Sequence, residues 1–150
     1  MNDPQLEPAK KGYAMYYQAR TAMERQDYEK ALAWAMDARL LFEEAAKDTG
    51  KVQDATMLII EANQKLGRFP QALQWCDVYA KGITEGSPEW AANRFRMATI
   101  QRQGGNFNAW RSIMENLRDT TGDSLYGKMA AAELTAWTLE ERAGRLTSPK

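Results

Sequence analysis

The sequence contains no histidine and a single cysteine, Cys76, and its twenty basic side chains are matched by twenty acidic ones. Each shortage excludes something. Without histidine there is no Ser-His or Cys-His nucleophile pair, no imidazole metal ligand and no ordinary general base for neutral pH. One cysteine cannot form an intrachain disulfide or a cysteine-cluster zinc site. A formal net charge of zero argues against a nucleic-acid binder, which normally carries a basic excess. Long apolar runs are also missing. Met57-Leu58-Ile59-Ile60 is a short unbroken one, and crossing a membrane takes about 20 residues. The stretch Met1 to Lys11 is polar and has no signal-peptide core. The expectation is a cytoplasmic protein with no membrane insertion. The alternative is a periplasmic or envelope-associated one whose signal or anchor has been removed.

Helical periodicity is what the chain has in quantity. Breakers at Arg25-Gln26-Asp27, Asp48-Thr49-Gly50, Leu66-Gly67-Arg68, Glu85-Gly86-Ser87-Pro88, Gly104-Gly105-Asn106 and Thr121-Gly122-Asp123-Ser124 divide it into helices. The expected spans are 9–25, 28–47, 51–66, 69–85, 88–103, 107–121 and 125–143, with flexible segments at 1–8 and 144–150. No segment shows sustained period-two alternation, so the predicted class is all-α. Ser87 and Pro88 form a helix start, and Ser124 or Asp123 can cap the last helix.

Within the helices, small and apolar residues recur at helical spacing. Ala31, Ala35, Ala38 and Phe42 form one stripe, expected to face Met15, Ala19 and Ala22. Ala72, Cys76, Tyr79 and Ile83 form a second, facing Ile59, Ile60 and Asn63. Trp110, Met114 and Leu117 form a third, facing Met97, Ala98 and Gln101. Cys76 therefore reads as a small core hydrophobe. Met129, Ala130, Leu134 and Trp137 fit more than one phase of the last helix.

Three turns share a pattern: an aromatic residue opens a helix, and a small or apolar residue follows three positions on. They are Asp27-Tyr28 with Ala31, Arg68-Phe69 with Ala72, and Asn106-Phe107 with Trp110. Tyr28 and Phe69 are 41 positions apart, and Phe69 and Phe107 are 38. A turn-aromatic-alanine signature recurring at near-constant spacing is similar to that of the tetratricopeptide-repeat (TPR) family, whose unit is about 34 residues. Pro88 falls where that family's closing proline stands. The excesses read as whole helical turns added to the second helix of each pair, as in elongated bacterial cell-envelope members. The resemblance covers residues 12 to about 121. It implies a right-handed α-solenoid of about three helix pairs, with 125–143 as a C-terminal capping helix.

The same resemblance implies a function. First helices line the family's inner groove, and the matching positions here are Tyr13, Tyr16, Arg20, Met23 and Glu24, then Asp54, Met57, Glu61, Gln64 and Lys65, then Ala92, Phe95, Thr99, Arg102 and Gln103. From these, the partner-binding candidates are Tyr13, Tyr16, Arg20, Met23, Asp54, Met57, Glu61, Lys65, Phe95, Thr99 and Arg102. Aromatic and methionine side chains supply adaptable contact area, and arginine anchors carboxylates. The carboxylate clamp of heat-shock cochaperones is not reproduced: its positions hold Tyr16, Arg20, Leu58, Ala92 and Arg96, and only Arg96 matches.

Other chemistry is thin. Glu43-Glu44 and Glu140-Glu141 are adjacent on helices, so each pair diverges by about 100°. Gly104-Gly105 has neither the lysine nor the strand of a phosphate loop. Arg94, Arg96 and Arg102 lie among Trp90 and Phe95, but Glu89, Glu115, Asp119 and Asp123 dilute their field. The reading is a non-enzymatic scaffold or adaptor that binds a protein or peptide in its groove, with no cofactor, metal or nucleic acid. Two alternatives stand beside it: a secretion-type chaperone, and a self-assembling module whose Trp34, Trp75 and Trp137 lie on outer faces. An enzyme would have to work through Asp54 or Glu61.

Overall fold

The structure, a computed structural model, describes residues 6–147. All regular structure among these residues is helical: α1 (Leu6–Glu24), α2 (Tyr28–Leu41) continuing into a π-helical turn (Phe42–Ala46), α3 (Thr49–Lys65), α4 (Phe69–Ala80), α5 (Pro88–Gln103), α6 (Phe107–Thr120) and α7 (Leu125–Thr147). The helix starts follow their caps. Asp27, Asp48, Ser87 and Asn106 each accept a hydrogen bond from the backbone N–H three residues on, which satisfies a donor the helix cannot. Ser124 does the same for α7, accepting from the Gly127 N–H at 3.0 Å.

The three turns that carry the sequence repeat share one backbone geometry. Gln26, Gly67 and Gly105 adopt left-handed φ values of 61°, 73° and 84°. The next N–H in each case reaches back five residues: Asp27 to the Ala22 carbonyl at 2.9 Å, Arg68 to Asn63 at 2.8 Å and Asn106 to Gln101 at 2.8 Å. This closes the preceding helix in the same way each time.

The chain divides into two compact units, one up to Gly82 and one from Ile83 onward, where the periodicity reads as one domain over 9–143. The division falls in residues 81–87, which the sequence reading assigns mostly to a helix ending at 85. That helix, α4, ends at Ala80 instead. The extra residues of the second repeat therefore form a connection containing Gly86 at φ 84°, rather than an added helical turn. In the first repeat the extension is helical but widens into the π turn. There the Asp48 N–H bonds to the Phe42 carbonyl at 2.9 Å, and Lys47 ends the element in a left-handed conformation. At the chain ends, α1 begins at Leu6 and α7 continues to Thr147, both beyond the expected 9 and 143. Residues 1–5 and 148–150, expected to be flexible, lie outside the described residues.

In the first unit, α1 packs on α2, α2 on α3 and α3 on α4, and connections of two or three residues join these successive helices. The expected alanine stripe is its core. Ala31, Ala35, Ala38 and Phe42 are buried, as are Ala19 and Ala22 opposite and Ala55, Ile59 and Ala62 on α3. Small side chains at these crossings let the helix backbones approach closely. Ala72 and Cys76 are buried on α4, whereas Tyr79 is half-buried and Ile83 lies past the helix. Glu29 and Arg68 form an ion pair from the start of α2 to the α3–α4 turn.

In the second unit, α5, α6 and α7 pack pairwise around Ala91, Ala98, Trp110, Met114, Leu117, Ala130 and Leu134. Trp110, which replaces the small residue of the other turns, is fully buried. Its ring centroid is 4.9 Å from Phe107 and 6.3 Å from Trp137. An aromatic cluster thus fills the space that close helix contact fills in the first unit. Ala130 and Leu134 face inward and Met129 outward, which fixes the phase of α7. Of the three tryptophans expected on outer faces, only Trp34 is exposed. Trp75 is half-buried beneath the Arg39 guanidinium, 5.1 Å from its ring centroid, and Trp137 packs into the aromatic cluster.

Candidate functional site

Helical spacing places Tyr13, Tyr16, Tyr17 and Arg20 on one side of α1, and Lys51, Asp54 and Glu61 on one side of α3. The fold brings these two rows together. Lys51 Nζ lies 4.6 Å from the Tyr13 ring centroid, 5.7 Å from that of Tyr16, and 3.4 Å from Asp54 Oδ2. The Arg20 guanidinium lies 6.0 Å from the Tyr16 ring centroid. Tyr13 stacks on Tyr17 at 6.4 Å and meets the buried Phe42 edge-on at 5.9 Å, so a core contact fixes the aromatic row from below. Tyr17 is 58% exposed and Tyr13 38%.

The electrostatics follow from this crowding. Partial burial raises the Tyr16 phenol above its ordinary value, and the negative charge of Asp54, with a smaller effect from Glu61, adds to the rise against Arg20 and Lys51. The Lys51 ammonium is also held above its ordinary value, first by its hydrogen bond to Tyr13 and then, against some desolvation, by that to Asp54. The result is a patch in which the Tyr13, Tyr16 and Tyr17 rings stand with Arg20, Lys51, Asp54 and Glu61. It can take up an apolar or aromatic side chain and orient charges of either sign next to it.

The other first-unit candidates lie on the same two helices. Met23 is half-buried against Ala22, Ala31 and Ala62. Met57 is half-buried, and Lys65 is exposed in the last turn of α3. Two members of the patch, Lys51 and Tyr17, are absent from the sequence-based set. Lys51 stands three positions before Asp54, the first position on α3 that the family resemblance assigns to the groove, and its signal is that i, i+3 spacing. Tyr17 is the i+4 neighbour of Tyr13.

The third-repeat candidates belong to the second unit and are used in packing there. Phe95 is half-buried, with its ring centroid 5.7 Å from Tyr126 on α7. Thr99 Oγ1 donates to the Phe95 carbonyl at 3.1 Å. The Arg102 guanidinium lies over Trp110 at 4.5 Å, and that of Arg94 lies 5.7 Å from Trp90. A separate cleft of about 520 Å³ in the first unit lies among the π turn, α3 and the end of α4, with Phe42, Val52 and Val78 as apolar lining and Arg39, Lys47 and Lys81 as basic lining. It shares no residue with the tyrosine patch.

Among the described residues no group of three or more acidic or cysteine side chains is placed to hold a metal ion, and no helix is long and apolar enough to cross a membrane. No known protein family, curated protein or solved structure matches the chain.

Proposed function

We propose that the chain is a TPR-like helical repeat that binds a segment of a partner protein, without catalysis, across the first helices of its first two repeats. The recurrent turn geometry supports the repeat reading. The observation that carries the binding reading is the α1–α3 patch, where Tyr16 lies among Lys51, Arg20, Asp54 and Glu61. Tyrosine beside arginine is the composition of an interaction hot spot. Close packing of opposite charges around it favours a segment with an apolar or aromatic residue flanked by charged ones. Because Phe95 and Arg102 serve packing within the second unit, the proposal rests on α1 and α3 rather than on all three first helices.

The test is affinity capture from the native host, comparing the wild type with Tyr16→Ala combined with Arg20→Ala. Arg20 is exposed and Tyr16 is half-buried against Ala38, Phe42, Ala46 and Ala55, so circular dichroism and the denaturation midpoint are measured alongside to show that the fold is kept. The pair should lose the captured partner at least tenfold. Undiminished capture would overturn the groove assignment.

A further inference from the structure

The helix α7 carries two apolar stripes, and only one is used. Ala130 and Leu134 point into the second unit with Tyr126 and Trp137 beside them. On the opposite side, Leu125, Met129, Ala132, Ala136 and Leu139 follow one another at intervals of four, three, four and three, and all are exposed. Leu125 is 66% exposed, Leu139 59% and Met129 38%. Alternating three- and four-residue steps give a mean of 3.5, the spacing of a seam that packs against a second helix. A surface helix facing only its own core would show apolar residues on one side, with charged residues opposite.

The residues flanking the seam indicate what covers it. At 100° per residue, Lys128, Thr135 and Arg142 run along one flank, and Tyr126, Glu133 and Glu140 along the other. One flank is basic and the other acidic. In a parallel pair of identical helices, each basic flank meets the partner's acidic flank, on both sides of the seam. In an antiparallel pair basic would face basic and acidic would face acidic. Ala132 and Ala136 at the centre allow close approach, with Leu125 and Leu139 packing at the two ends.

We propose that the outer face of α7 is a self-association surface, on which a second copy of this chain docks its own α7 in parallel and in register. The contact is isologous and closes as a two-fold dimer. Lys128 of each copy then pairs with the acidic residue five positions further on in the other, Glu133. The seam is about two heptads long, so the dimer is weak and depends on concentration.

Sedimentation velocity of the full chain, from low micromolar to near-millimolar concentration, tests this. A monomer–dimer equilibrium is expected, and Leu125→Glu or Leu139→Glu should leave monomer throughout with unchanged circular dichroism. Lys128→Glu should weaken the dimer about tenfold, since it creates two like-charge contacts, and adding Glu133→Lys should restore it. Orientation is read from Leu125→Cys in a Cys76→Ala background: mild oxidation should yield a covalent dimer. A chain that stays monomeric at every concentration overturns the proposal, and then the seam serves another protein. A dimer that ignores the seam substitutions overturns it as well, as does one that persists while Leu125→Cys does not cross-link.

Discussion

Lys51 Nζ, in the first turn of α3, lies 4.6 Å from the centroid of the Tyr13 ring on α1, so α1 and α3 touch through a cation and an aromatic face. The contact is local to the surface, and its partners are positioned by deeper packing: Tyr13 by Phe42 and Lys51 by the Asp48-capped start of α3. The coupling between them should therefore be measurable without disturbing the core. In a double-mutant cycle of Tyr13→Leu and Lys51→Met by chemical denaturation, a coupling energy of about 0.5–1 kcal/mol is expected. A value of zero would mean that the two side chains do not share one site.

The left-handed Gln26, at φ 61°, occupies the place that Gly67 and Gly105 hold in the other two turns. A non-glycine residue there bears a steric cost that glycine does not. Gln26→Gly should stabilise the chain by about 0.5–1 kcal/mol. A loss of stability would show that the first turn is not equivalent to the other two.

Gly127 behaves in the opposite sense. Close approach of the start of α7 to the preceding turn would drive a Cβ at this position into the Thr121 carbonyl group. Replacing a helical glycine by alanine ordinarily gains about 1 kcal/mol, but Gly127→Ala should cost about 3 kcal/mol or more. The midpoint of denaturation is the readout, and a neutral result would rule out this approach.

Partial burial, then the Asp54 carboxylate, hold the Tyr16 phenol above the ordinary tyrosine range, so the folded chain holds this proton more tightly than the unfolded one. The resulting contribution to stability is fully present below the unfolded value and is lost as pH rises through the folded one. Lys51, raised for its own reasons, acts in the same direction. The wild type should lose stability on alkaline titration, and Tyr16→Phe should flatten part of that loss. Ultraviolet titration should also show one late-ionising tyrosine that disappears in the variant.

The turns and most helix starts are legible because each rests on local chemistry: polar and glycine breakers such as Arg25-Gln26-Asp27, Leu66-Gly67-Arg68 and Gly104-Gly105-Asn106, and Ser87 and Ser124 as caps. Other features are not. Ile83 continues the apolar spacing of Ala72, Cys76 and Tyr79, so periodicity carried α4 past its true end at Ala80. Phe42–Ala46 is good helix-forming sequence, and nothing in it distinguishes a π turn from an α turn. The phase of α7 could not be chosen because both of its stripes are apolar, one for the core and one left exposed. Phe95 and Arg102 were placed in the groove by repeat position alone. Their actual neighbours, Tyr126 and Trp110, come from other helices, and no local pattern shows them. For Tyr13, Tyr16, Arg20 and Asp54, helical spacing and repeat register agree, and the fold places these side chains near one another.

The central claim is that α1 and α3 receive the partner, and site-specific photo-cross-linking in the native host tests it most directly. A photoreactive phenylalanine analogue would replace Tyr16 in the patch or, as a comparison, the exposed Trp34 on α2. The account predicts a discrete cross-linked partner from position 16 that is absent or much weaker from position 34. The same partner cross-linking equally from both positions, or from position 34 alone, would contradict it.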